Sequence, residues 1–450
     1  MVAMLSIDDT TIGGALSVRF PLLPKAIRLL CNGYNNARMN HSTAVILVGY
    51  EYRHITLIHY QIGFKLMLML IDGAMDWLAG LGGAVTAIII AVLATVTCKV
   101  IIRILFVLIN NIYCIPTYCV WMIIFFPLRK IHPNLYWKLE GLFFHWLLAM
   151  VSMWSWSAGY DIVEMGDDIR LCLNDRTLVL VNHQSTADVP MLMTNFNSKA
   201  GVLPNIMWIM DRIFKFTNFG IVSIIHQDFF ILSGKDQREQ AVKELRTHIR
   251  GSYLPRQRKL IILFPEGGFL RKRREASQRY AQKNNLPLLE HVTLPRLGAF
   301  SAIIDELSPK QTKYGGVTNN NTEFNENTDK LAWILDVTVA YSEGRPLDLP
   351  TIIMGQRRAC RTHMYYRLFP SSLVPREQEE MTKWLFDRWE EKERILETFY
   401  STGEFPSHKG SRQSAVIQQD CVRFLILHLF FIASSYAHYR IIHYLIGLVW

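Results

Sequence analysis

The chain places an imidazole and a carboxylate five residues apart in the segment Asn182-His183-Gln184-Ser185-Thr186-Ala187-Asp188. This segment follows directly on Thr177–Val181 (TLVLV), a short apolar and β-branched run that reads as a buried strand. His183 is therefore expected at the carboxyl end of a strand, where ligand crevices open in α/β sheets. Asp188 and Pro190 carry the marks of a helix start, with the acid near the N-cap and proline in the first turn. The turn between them can fold the carboxylate back onto the imidazole. Such a pair suits general base catalysis: the imidazole takes the proton of a hydroxyl, while the carboxylate holds its tautomer and stabilises the imidazolium. A hydroxyl activated in this way could attack an acyl group such as a thioester directly. No serine or cysteine nucleophile is then required, and no GxSxG elbow is present.

A second segment has comparable form. Lys259–Phe264 (KLIILF) reads as another buried strand and ends in Pro265-Glu266-Gly267-Gly268. Proline and paired glycines after a strand make a sharp turn with exposed backbone amides, a fit for phosphate. Glu266 is expected at the crevice, to bind a substrate hydroxyl or to hold a basic residue. The basic run Arg271, Lys272, Arg273 and Arg274 comes after the turn. It reads either as a clamp for phosphates or as a solvated face touching anionic lipid.

The elements that must position these residues have an α/β rhythm from about residue 161 onward. Thr177–Val181, Ile221–Ile225, Leu260–Phe264, Val337–Tyr341 and Thr351–Met354 read as strands, and Lys235–Arg250 and Glu275–Asn285 as helices. Polar residues 309–330 read as a surface loop; the Asn320-Asn321-Thr322 sequon there matters only if that loop faces a lumen. Met207–Phe219, rich in methionine and aromatic residues, reads as core packing, with an acyl tunnel or an interfacial segment as the other readings. His226 reads as structural.

Of 450 residues, half are hydrophobic and only 19% charged, and mean hydropathy is +0.14. The shortfall in charge points toward lipid. Ala79–Cys98 is long and apolar enough to cross a bilayer; Lys99 and Arg103 separate it from a second apolar run, 104–127. The Trp-rich run 141–160 reads equally as an interfacial helix or a buried one. Val422–Trp450 is apolar apart from Arg423, Arg440 and three histidines, and suits a hairpin or a single tilted span. Residues 1–60 show no cleavable signal and read as a poorly ordered extension. The expected organisation is thus 1–60 extension, 61–160 membrane or interfacial helices, 161–410 catalytic domain and 422–450 membrane segment. Net charge of +10 fits an anionic substrate at a membrane; zinc-finger spacing and RNP-type aromatic boxes are missing, which argues against nucleic acid. Seven scattered cysteines without a CxxC pair suggest neither a disulfide framework nor a zinc site, and point to a reducing compartment. Arg129, Lys130 and Lys138 favour a cytosolic position for the α/β domain beyond the apolar runs.

NHQSTAD followed by FPEGG, in that order and at this separation, resembles the glycerolipid acyltransferase family of lysophosphatidate acyltransferases over roughly residues 140–310. The flanking segments NFGIVSIIHQDFFI, FLRKRREASQRYAQKNNLP and VTLPRLGAF are similar to the lysophosphatidylglycerol acyltransferase branch, as are the Trp-rich segment and the apolar C-terminus. The resemblance implies an α/β domain with a mixed central sheet flanked by helices, plus membrane helices at both ends. It implies transfer of an acyl group from acyl-CoA to a lysophospholipid in phospholipid remodelling, lysophosphatidylglycerol being favoured as acceptor. Lysophosphatidylethanolamine, lysocardiolipin or a monoacylglycerol would use the same chemistry, and a catalytically inactive lipid-binding scaffold is the reading from another class.

Carried over by residue, the resemblance makes His183 the catalytic base and Asp188 its partner. Glu266 and Gly267, with Gly268, belong to the acceptor-binding motif, and Pro295 to a motif linked to the acyl donor. Arg271 and Lys272 are assigned to substrate phosphates. The arginine of the family's second motif is replaced by Leu232, leaving Lys235 or the Arg271–Arg274 cluster to supply the charge. No cofactor is expected, acyl-CoA being a co-substrate. The resemblance implies an endoplasmic reticulum membrane location; oligomeric state is left open.

Overall fold

The computed structural model describes residues 65, 67 and 69, and 84–449 apart from 233, 235, 236, 309–329 and 407–410. The 1–60 extension, Lys235 and nearly all of the polar 309–330 stretch therefore lie outside the described residues. Along the chain run α1 (Ala84–Phe125), α2 (Leu128–Ile131), α3 (Pro133–Ser157), β1 (Tyr160–Gly166), β2 (Thr177–Val181), α4 (Asp188–Asn197), β3 (Ile206–Asp211), α5 (Asn218–His226), β4 (Phe229–Ile231), α6 (Arg238–His248), β5 (Leu260–Leu263) and α7 (Leu270–Lys283). They are followed by α8 (Leu297–Leu307), β6 (Trp333–Tyr341), α9 (Leu349–Met354), β7 (Cys360–Pro370), α10 (Gln378–Thr402), β8 (Arg412–Val416) and α11 (Cys421–Val449).

The strands form one mixed sheet in the order β4-β3-β5-β2-β6-β7-β1-β8. β4, β3, β5, β2 and β6 are mutually parallel, β7 runs antiparallel to β6, β1 parallel to β7, and β8 antiparallel to β1. All five parallel strands thus end at one edge of the sheet. β2 lies within this set, between β5 and β6, buried along its whole length. Its side chains alternate: Leu178 and Leu180 enter a core shared with Leu245 of α6, Phe300 and Ile303 of α8, and Leu385 and Trp389 of α10.

Two of the strands expected from sequence are helices. Ile221–Ile225 lies in α5, where Thr217 caps the N-terminus by accepting from Gly220 N, and buried Val222 and Ser223 alternate with exposed Ile221 and Ile224 at helical spacing. Thr351–Met354 lies in α9, capped by Asp348 with proline in its first turn. A short apolar run does not distinguish a strand from one or two helical turns, and the capping residues decide. The run 141–160 belongs to α3, whose residues from Leu147 to Trp156 are buried, so it is a core helix rather than an interfacial one.

By internal contacts the chain divides into two compact units, Met1–Ile102 with Gln418–Ile426 and Arg103–Ile417 with Leu427–Trp450. Lys99 and Arg103 do not separate two apolar helices: α1 is continuous over 42 residues. Arg103 is accommodated because its guanidinium donates to the carbonyls of Trp154 (2.7 Å) and Ile352 (2.9 Å) and to Ser157 Oγ (2.7 Å). The C-terminal segment is a single helix, not a hairpin. Ile89–Phe125 and Cys421–Leu448 are both long and apolar enough to cross a bilayer, and they make this a membrane-associated chain. Cys98, Cys114, Cys119, Cys172, Cys360 and Cys421 are all free thiols.

Candidate active site

The site is assembled where β2 and β5 end. Asn182 terminates β2 with a side chain that takes the place of a backbone ladder: its Nδ2 donates to Val339 O (3.0 Å) and its Oδ1 accepts from Val339 N (2.7 Å) on β6. The next residue, His183, is pinned from the other side. Its N–H donates to Glu266 Oε1 (3.0 Å) and its carbonyl accepts from Leu270 N (2.7 Å). The imidazole lies between Phe264 and Phe269, with ring centroids 4.4 and 5.7 Å away.

His183 Nδ1 lies 2.8 Å from Asp188 Oδ2. The same oxygen accepts from Gln184 N (2.7 Å) and Ser185 N (2.9 Å), and Oδ1 accepts from the Tyr341 hydroxyl (2.5 Å). Asp188 is fully buried, and an ionised carboxylate is acceptor-only, so Nδ1 carries the proton shared with it. Nε2 then presents its lone pair, and the side chain is 16% exposed. Among the described residues Nε2 has no hydrogen-bond partner. Burial and the adjacent Asp188 charge push the Tyr341 hydroxyl well above its ordinary pKa, so it stays a donor.

The structure turns Glu266 away from the crevice expected for it. Its carboxylate is buried, and Oε1 accepts from His183 N (3.0 Å) and Trp389 Nε1 (3.2 Å). Oε2 accepts from Thr293 N (3.1 Å) and Thr293 Oγ1 (2.8 Å). Burial pushes this carboxyl up to about 7, against the opposing pull of the Thr293 hydroxyl and the His183 N–H. Glu266 thus ties together the end of β2, the glycine turn, the 293–296 segment and α10.

The paired glycines seat two arginine side chains, Arg296 by its guanidinium and Arg273 by its stem. Gly267 has φ +67°, and a Cβ there would come within 3.1 Å of the Arg296 guanidinium; at Gly268 it would come within 3.2 Å of the Arg273 side chain. Arg296 N also donates to Pro265 O (2.9 Å), which keeps buried Pro295 beside the turn. Arg273 is half-buried, whereas Arg271, Lys272 and Arg274 are exposed on α7. Lys272 Nζ stands 5.0 Å over the Phe269 ring. Neither Arg273 nor Arg296 is ion-paired among the described residues. Leu232 is half-buried just beyond β4, and Lys235 lies outside the described residues. His226 is structural: it is buried, stacked on Phe144 at 3.4 Å, with Nδ1 2.8 Å from Glu140.

Several residues at the site escaped the sequence reading. Tyr341 ends a run recognised as a strand, and a tyrosine at a strand's carboxyl end was the available signal. Trp389, Lys392 and Glu393 share one face of α10. Lys392 pairs with Asp336 in the core, and Glu393 accepts from the N–H groups of Glu290, His291 and Val292. Arg296 carried no signal beyond its position next to Pro295.

The Acyltransferase family model matches residues 163–305, and the Acyltransferase C-terminus model matches 352–430. Acyl-CoA:lysophosphatidylglycerol acyltransferase 1 of Homo sapiens is 43% identical over 348 residues, covering 77% of this chain and 94% of the human protein. The chain belongs to the acyltransferase family. The Mus musculus protein of the same name is 44% identical over 354 residues, 78% of this chain and 96% of its own length. A more distant acyltransferase, lysocardiolipin acyltransferase 1 of Gallus gallus, is 25% identical over 282 residues, 62% of this chain and 68% of its own. The two acyltransferase family matches together span the whole constellation except residues 306–351, which contribute Val339 and Tyr341.

Proposed function

We propose that this acyltransferase moves a fatty acyl group from acyl-CoA to a hydroxyl of a lysophospholipid, lysophosphatidylglycerol being the favoured acceptor. The observation that carries the reading is the His183–Asp188 contact, with Nδ1–H held by a carboxylate and Nε2 left to accept a proton. The names of the human and mouse relatives support the donor and the acceptor.

In the proposed reaction His183 Nε2 takes the proton of the acceptor hydroxyl as that oxygen attacks the thioester carbonyl carbon. Asp188 stabilises the resulting imidazolium, and the four donors around its carboxylate keep it fixed during the transfer. The tetrahedral oxyanion then collapses, the carbon–sulfur bond breaks, and the imidazolium returns its proton to the leaving thiolate. An ester and free CoA result, and the histidine ends in its starting state. Arg273 and Arg296, seated on the glycine turn, bind phosphate in place of the second-motif arginine that Leu232 replaces. Glu266 acts as a positioning residue, and the Arg296 N–H bond to Pro265 O keeps Pro295 and Arg296 at the turn. The reaction belongs to phospholipid remodelling at the endoplasmic reticulum membrane, with the catalytic domain on the cytosolic side, where Arg129, Lys130 and Lys138 come after α1.

Purified protein given labelled oleoyl-CoA and a panel of lysophospholipids tests this directly, alongside His183→Ala. Transfer to lysophosphatidylglycerol that disappears in the variant is the expected result. Transfer favouring lysocardiolipin would reassign the acceptor and keep the chemistry. Equal turnover by the variant and the native protein would remove His183 from the reaction.

A further inference from the structure

The corner after β3 carries an exposed apolar surface that the catalytic reading does not use. The residues Arg212–Phe216 form a single-turn helical segment in which no residue is buried. Ile213 is 68% exposed, Phe214 48% and Phe216 86%. The surface continues onto α5, whose inward side buries Val222 and His226 while Ile221 and Ile224 point outward at 47% and 50% exposure. Large contiguous apolar surface on a folded chain marks an interaction site.

This corner is held rigid. At Gly220 any Cβ would overlap the carbonyl oxygens of Lys215 and Phe214, so the chain turns back on itself with no room for a side chain. Thr217 closes the turn, its hydroxyl donating to Phe214 O (2.7 Å). The five apolar side chains are therefore presented on a fixed frame.

Their neighbour indicates the medium that covers them. Asn218 Nδ2 donates to Asn111 Oδ1 (3.0 Å) on α1. Around that position α1 buries Val107, Asn110 and Cys114 and turns Leu108, Ile109 and Ile112 outward, at 52%, 54% and 71% exposure. These outward residues lie within the stretch long and apolar enough to cross a bilayer. The corner thus continues the lipid-facing side of α1. Its two charges, Arg212 and Lys215, are both basic, the sign that suits an anionic leaflet, and their long stems can carry the charge up to the headgroups.

We propose that residues 212–224 insert into the bilayer beside α1 and hold the carboxyl edge of the sheet against the membrane. The strand order places the consequence: the corner comes after β3, the glycine turn after β5 and His183 after β2, in adjacent strands ending at the same edge. The insertion itself does not depend on the acyl-transfer reading.

The test uses the full chain in nanodiscs of phosphatidylcholine and phosphatidylglycerol. An environment-sensitive fluorescent amino acid is introduced by codon suppression at position 216, at 213, or at 171. Leu171 is 66% exposed and precedes β2, at the opposite edge of the parallel strands. Quenching by nitroxides on the lipid chains is compared with quenching by aqueous iodide, for proteins that melt as the native chain does. The expected result is quenching by lipid nitroxide at 216 and 213 with loss of most of the iodide quenching, and the reverse at 171. Iodide quenching at both 216 and 213 equal to that at 171 overturns the proposal, whether or not the protein transfers acyl groups.

Discussion

Replacing Glu266 with glutamine isolates the consequence of burying a carboxyl group behind His183. The protonated acid has one donor, and Thr293 Oγ1, 2.8 Å from Oε2, is placed to accept it. A glutamine amide can take that place, leaving its carbonyl for the His183 N–H and the Trp389 indole. At low pH the variant reproduces that arrangement except at Thr293 N, from which an amide nitrogen cannot accept, a loss that does not vary with pH. The folded protein holds the carboxyl at about 7, against an ordinary value of 4.5. The folded state then binds more protons than the unfolded state between those two values, so native stability falls as pH rises through that window and levels off above it. The loss amounts to about 3 kcal/mol, at ~1.4 kcal/mol per pH unit. Glutamine does not titrate, so the variant gains on the native chain by that amount between about pH 4 and about pH 8. Denaturant unfolding of both proteins in the same detergent across this range measures the difference, and titrating groups that do not interact with Glu266 cancel. A difference that stays constant with pH, or that moves against the variant as pH rises, refutes the burial argument.

Tyr341→Phe removes the donor on Asp188 Oδ1 from a site that water does not reach, and a hydrogen bond to a buried charge is worth ~1.5–3 kcal/mol. We expect kcat to fall at least about tenfold with KM for acyl-CoA little changed; an unaltered kcat in steady-state assays would show that His183 and the Gln184 and Ser185 amides suffice to position the carboxylate. Arg296→Ala should raise the KM of a phosphate-bearing substrate about tenfold, whereas Arg271→Ala, on the exposed side of α7, should change it little. Equal effects of the two would mean that the cluster acts only through its field. Asn182→Ala breaks both bonds that lock the end of β2 to Val339. It should cost ~2 kcal/mol of stability together with activity, and thermal unfolding without a shift would contradict that role.

The His183–Asp188 relation could be read in the sequence because it is local. Four residues of turn bring the carboxylate to the imidazole, and a buried strand before it and a proline after it set both ends. The glycine turn was legible for the same reason, since Pro265 and two glycines bend the chain wherever it lies. Where a local signal was ambiguous the reading slipped. Ile221–Ile225 and Thr351–Met354 are apolar enough for strands, and only their capping residues and helical burial pattern mark them as α5 and α9.

The sequence by itself determined the family, the juxtaposition of His183 and Asp188, and the membrane character of the chain, because each rests on neighbours or on composition. The tertiary structure alone decided what surrounds that pair. Sheet order sets β2 between β5 and β6, which brings Glu266 to the His183 backbone across 83 positions and Tyr341 to Asp188 across 153. It turned Glu266 inward, and it set the Arg273 and Arg296 side chains against Gly268 and Gly267. No periodicity or motif encodes such contacts, since they arise from strand pairing between distant segments and from the core that holds α10 against the sheet.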